Sequence, residues 1–132
     1  MMGETYSSEN TLLRLLIADD EAEFVDVIAR RIAKRNVRVR KAYRGYEAID
    51  ILREEPFDVA LLGLKMTDMD GLELLQLFKK IAPDLRIVIL TDYEGEAAAR
   101  DSVAHGAADY LIKPCDFDEL IATIWRAALS KV

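Results

Sequence analysis

Cysteine is almost missing from the 132 residues: Cys115 stands alone. One thiol excludes an internal disulfide framework and fits a reducing compartment, so a cytoplasmic setting is expected. Glycine and proline are sparse, at six and three, and no phosphate loop of the G-x-G-x-x-G or P-loop kind is present. No apolar run approaches the length of a membrane span, and the N-terminus lacks the apolar core of a signal peptide. Positive charge is in deficit, with 18 Lys and Arg against 24 Asp and Glu and a net charge of −6. That balance argues against a nucleic-acid surface. The densest basic stretch, Arg30 to Lys41, is broken by Ile32, Val37 and Val39, and reads as a solvated helix end and strand face. Histidine occurs once, as His105 near a helix end, where a solvated capping role outweighs metal or phosphotransfer work.

What is present is an ordinary globular mix, 52% apolar and 32% charged, in a chain the size of one domain. Residues 1–11 are polar and aperiodic and are expected to form a loose, disordered tail, leaving 12–132 as the domain. Short apolar runs then alternate with helical patterns five times. Strands are predicted at Leu12–Ala18, Val37–Arg40, Val59–Leu62, Arg86–Leu90 and Ala108–Ile112. Helices are predicted over 22–35, 45–54, 72–81, 97–105 and about 116–131, with Asp116 or Asp118 capping the last. Continuous apolar strands alternating with helices predict an α/β fold, a doubly wound five-stranded parallel sheet of order 2-1-3-4-5. In such sheets ligands and chemistry gather at the carboxyl ends of the strands.

Those ends carry Asp19-Asp20 after strand 1, Gly63 after strand 3, Thr91 after strand 4 and Lys113-Pro114 after strand 5. In order along the chain come "LLIADDE", "DVALLGLKMTDMDG", "IVILTD" and "ADYLIKP". The set resembles the receiver domain of two-component response regulators, the CheY-like (βα)5 family, over residues 12–130. The resemblance implies phosphorelay signalling rather than enzyme activity. It assigns Asp19 and Asp20 to the metal-holding pair, Thr91 and Lys113 to contacts with phosphoryl oxygens, and Tyr110 to the aromatic switch. Phosphoryl transfer is mostly positioning and charge neutralisation, so a cation and an ammonium must face the incoming anion.

At the implied acceptor position stands Gly63, which has no atom to carry an acyl phosphate. The expectation is therefore a pseudo-receiver, acting by protein contact without aspartyl phosphorylation, with Mg²⁺ weak or absent because a third carboxylate is missing. Thr67, where the family has proline, and Asp92, where it has a small residue, suit a pocket no longer used for phosphate. Lys113 is then expected to pair with Asp19 or Asp20, and Asp20 or Glu21 to cap the helix at Ala22. Two alternatives stay open. One is a phospho-accepting regulator, either using Asp20, Asp68 or Asp70 or having Asp at position 63 in its native sequence, although Asp68 and Asp70 also fit a tight turn before Gly71; the other is a small-molecule-binding module. Expected partners are a histidine kinase, a phosphotransfer protein, an output domain or a second copy, docking on residues about 96–130. Cys115 reads as a buried inert thiol, and Trp125 as a packing residue or an anchor for a partner. Met66 and Met69 read as cover for the pocket or a contact patch.

Overall fold

The computed structural model describes residues 12–130; the predicted tail at 1–11 lies outside them. Five parallel strands, β1 (Leu13–Ala18), β2 (Val37–Ala42), β3 (Val59–Gly63), β4 (Arg86–Thr91) and β5 (Asp109–Ile112), form one sheet in the order β2-β1-β3-β4-β5. Between and after them run α1 (Ala22–Ile32), α2 (Gly45–Glu54), α3 (Gly71–Ile81), α4 (Glu96–Ser102) and α5 (Phe117–Leu129). The expected doubly wound order is therefore the observed one.

Side-chain alternation along the strands divides the interior in two. Val59 and Leu61 of β3 face Val25, Ile28 and Ile32 of α1 and Leu120 and Ile124 of α5. Ala60 and Leu62 face α2, α3 and α4 through Ile49, Leu52, Leu74, Phe78 and Ala99. Because β3 is covered on both faces, all five of its residues are buried, which is why its sequence is continuously apolar rather than alternating. Among the described residues no helix is long and apolar enough to cross a membrane.

The boundaries shift in physically legible ways. The predicted helix over 22–35 tightens into a 3₁₀ turn at Ala33–Arg35, ended by Asn36 in the left-handed conformation (φ 66°). The predicted helix over 97–105 likewise ends in a 3₁₀ turn, Val103–His105, closed by Gly106 at φ 113°. His105 Nδ1 lies 3.2 Å from the Asp101 carbonyl oxygen, within that turn. Asp116, rather than Asp118, caps α5 by accepting from Glu119 N–H. Another 3₁₀ turn, Tyr93–Gly95, separates β4 from α4. The helix at Ala22 is not capped by Asp20 or Glu21: Glu21 sits at the cap without a side-chain bond, and the Asp19 carboxylate takes the Glu21 N–H instead.

Candidate functional site

The carboxyl ends of β1, β3, β4 and β5 open on a cavity of about 620 Å³ lined by Asp19, Gly63, Thr91, Lys113 and their neighbours. Backbone register places these residues. Asp19 N–H bonds the Ala42 carbonyl at 3.1 Å, extending β1 by one residue, and Lys113 N–H bonds the Thr91 carbonyl at 2.6 Å, which sets the lysine beside the end of β4.

Lys113 is the electrostatic centre of the cleft. Its Nζ donates to Asp19 Oδ2 at 3.0 Å and also contacts Glu21 Oε1, and lies 4.6 Å from the centroid of the Phe24 ring. The lysine side chain is 17% exposed and that of Asp19 only 3%, so the pair is largely withdrawn from water. Burial pulls the Lys113 pKa down, but Glu21 and Asp19 together outweigh it, and the ammonium ends above its ordinary value. For Asp19 burial is the dominant influence and raises the carboxyl above the usual carboxylate range, although Glu21 N–H and Lys113 act against it. The expected pairing of Lys113 with Asp19 is observed. Asp20 is not its partner; Glu21 is.

Asp20 is engaged elsewhere, its Oδ2 accepting from Thr67 Oγ1 at 2.8 Å. Thr67 thus ties the loop after β3 to the end of β1. Asp68 is not merely part of a turn before α3. Its two oxygens accept from Gly45 N–H at 2.8 Å and Tyr46 N–H at 3.0 Å, so it satisfies free donors at the start of α2. Asp70 caps α3, accepting from Leu72 N–H. Asp92 accepts from Gly95 N–H at 3.1 Å.

Gly63 is buried at the end of β3. A Cβ there would lie 2.8 Å from Asp19 Oδ2, 3.1 Å from Asp19 Cγ and 3.3 Å from Met66 Sδ. The space that a side chain at 63 would enter is therefore already taken by the Asp19 carboxylate and the methionine. Met66 belongs to the core against Gly63 rather than to a surface patch, and Met69 packs half-buried beside it. Thr91 is 4% exposed, and Gly95 passes so close that any side chain on residue 95 would collide with the threonine hydroxyl. Tyr110, on β5, is half-buried with its hydroxyl donating to Glu96 Oε2 at 3.3 Å; Glu96 in turn pairs with Arg100. Cys115 is half-buried in the wall of the cavity, and burial pushes its thiol pKa up. Trp125 packs half-buried on the α1–α5 side.

The donor set does not fit a resident Mg²⁺. Mg²⁺ keeps several of its waters and is held through one or two carboxylates that are free to face it. Here Asp19 already serves Lys113 and the Glu21 amide, and Asp20 serves Thr67. Among the described residues no three His, Cys, Asp or Glu side chains gather in a way that could hold a metal ion.

A five-stranded doubly wound sheet with acidic residues, a threonine and a lysine at its carboxyl ends defines a class of small α/β signalling domain. The chain belongs to the response regulator receiver domain family, whose model matches residues 15–125. It is 34% identical over 113 residues to the transcriptional regulatory protein ZraR of Escherichia coli K12, an alignment covering 86% of this chain and 26% of that protein. It is 36% identical over 111 residues to the DNA-binding transcriptional regulator NtrC of Proteus hauseri, covering 84% and 24%. The chain thus spans about a quarter of the length of these relatives. Among solved structures, a receiver domain protein from Clostridium thermocellum superposes with a TM-score of 0.84 at 28% identity, covering 89% of this chain and 94% of the other.

Proposed function

We propose that this domain signals by protein contact and does not accept a phosphoryl group. The observation that carries this reading is Gly63. Taken as the acceptor position, it offers no carboxylate to attack phosphorus, and the Asp19 carboxylate and Met66 crowd the place a side chain would take. Lys113, which would otherwise meet phosphoryl oxygens, is neutralised by Asp19 and Glu21. The carboxylates that stand as alternative acceptors hold structure together instead: Asp68 at the start of α2, Asp70 at the start of α3, and Asp20 on Thr67.

The proposed contact face spans residues about 96–130. Tyr110, the proposed switch residue, is held there by Glu96, and Val103 and Leu129 expose apolar surface. The curated relatives are named as transcriptional regulators, so the proposed occupants of this face are a kinase or phosphotransfer protein of the same pathway and an output region of a longer chain. With phosphorylation absent, a partner must supply any differential affinity that shifts the domain between conformations. Intact-mass measurement after treatment with acetyl phosphate and Mg²⁺ tests the reading. No phosphoryl addition is expected; addition at Asp20, Asp68 or Asp70 would replace it with an alternative acceptor.

A further inference from the structure

Away from the cleft, the two edges of the sheet carry opposite charge. Eight of the chain's 18 lysines and arginines fall between residues 30 and 44, and no acidic residue lies among them. They sit on the end of α1, the 3₁₀ turn, β2 and the residue before α2, and β2 is an outer strand. Some are internally compensated: Arg35 with Asp118, Arg40 with Glu55, Lys41 with Asp26, and Arg31 over the Phe117 ring. Arg30, Lys34, Arg38 and Arg44 are exposed and make no salt bridge among the described residues. On the opposite edge, residues 92–112 hold five acidic residues against one arginine and include β5, the other outer strand. There Glu94 and Asp101 are exposed and make no salt bridge among the described residues.

We propose that the basic β2 edge of one molecule docks on the acidic α4–β5 edge of a second copy, head to tail. The two surfaces are complementary in sign but lie on different sides of the molecule, so the contact is heterologous and can be extended by further copies. Charged side chains along an outer strand discourage backbone strand addition, so the contact is made by side chains. The net charge of −6 does not prevent it. In about 0.1 M salt the screening length is about 10 Å, against a domain roughly 30 Å across, so overall repulsion is damped while facing pairs still attract. Exposed pairs contribute little each, and the association is weak and salt-sensitive. It does not depend on what residue 63 does, so its failure is distinguishable from failure of the non-acceptor reading. It shares α4 and β5 with the contact face proposed above, so a second copy would compete there with another partner.

Sedimentation velocity of the full chain tests the contact. Concentration-dependent association is expected in about 0.1 M salt, weakened by about tenfold or more in about 0.5 M. Neutralising the basic edge (Arg30→Gln, Lys34→Gln, Arg38→Gln and Arg44→Gln together) should give a monomer, as should neutralising the acidic edge (Glu94→Gln with Asp101→Asn). Mixed, the two variants should form a 1:1 dimer that does not grow, because each supplies the edge the other lacks. Circular-dichroism melting of each variant verifies that the fold is intact. A monomer under all conditions, association insensitive to salt, a basic-edge variant that still self-associates, or a mixture that stays monomeric would each overturn the proposal. Binding of poly-glutamate or duplex DNA to the basic edge in place of self-association would also overturn it.

Discussion

Two ion pairs sit at opposite ends of the sheet, each with one partner on or beside β1, and behave differently. At the amino end, Arg14 at the start of β1 forks onto Asp58 just before β3, through Nε at 3.1 Å and a terminal nitrogen at 2.9 Å, and the Arg14 N–H adds a third bond at 2.9 Å. Both side chains are well exposed, at 42% and 36%. At the carboxyl end, Lys113 and Asp19 pair in the wall of the cavity with little side-chain exposure, 17% and 3%. The Arg14 guanidinium holds the Asp58 carboxyl below the ordinary range, whereas burial drives Asp19 above it despite its lysine. An acid–base pair thus has different consequences at the two ends: the exposed fork fastens β1 to β3, while the less exposed pair keeps a costly carboxylate compensated in the cavity wall.

The largest expected effect comes from breaking the buried pair. Lys113→Met leaves Asp19 uncompensated, and breaking a buried pair by removing one partner costs about 3–5 kcal/mol. Because Glu21 is exposed and Lys113 is not fully buried, about 2–4 kcal/mol is expected in urea unfolding. Adding Asp19→Asn to Lys113→Met should recover part of that loss; a double variant less stable than the single one would contradict the comparison.

Gly63→Asp comes next. Its Cβ must displace the Asp19 carboxylate or Met66, and its charge adds a third carboxylate, for a loss of about 1–3 kcal/mol without metal. The added carboxylate beside Asp19 builds up negative charge that a divalent cation relieves, so the variant's melting temperature should rise with millimolar Mg²⁺ while that of the parent stays constant. Equal responses of the two forms would show that residue 63 does not face the cleft as described.

The amino-end pair should respond to acid. A carboxyl whose folded pKa is lowered contributes stability above its unfolded pKa, near 3.8 for Asp58, and loses it as pH falls through the lower folded value. Asp58→Asn should therefore cost about 1 kcal/mol near neutrality, and the deficit should shrink below about pH 4. Asp19, with a raised folded pKa, carries the opposite sign: its own contribution declines as pH rises through the unfolded and then the folded pKa. Smallest of all, Thr67→Val removes the donor to Asp20, and because that bond is exposed it should cost about 0.5 kcal/mol in chemical unfolding.

The sheet was legible in the sequence because its strands are apolar on both sides, a pattern that belongs to covered parallel sheets. Asp19, Thr91 and Lys113 were legible because each directly follows such a run. Less accessible were bonds between residues far apart in the chain. Nothing local marks Asp68 as the residue that satisfies Gly45 and Tyr46, since 22 and 23 positions separate them. Glu21 looks like a helix cap in the sequence, yet its side chain turns to Lys113, 92 residues away. Helix ends were overextended because apolar spacing does not distinguish α from 3₁₀ turns; at 33–35 and 103–105 the chain tightens while the spacing continues.

In the proposed reading, Lys113 is held by Asp19 and Glu21, and residue 63 supplies no carboxylate to a metal ion or a phosphoryl group. Titration of the ¹⁵N-labelled domain with Mg²⁺, following the amides of Asp19, Asp20, Gly63 and Thr91, tests this most directly. No saturable shift at these positions is the predicted result. Saturable shifts in the millimolar range or below would show a competent cation site and contradict the account.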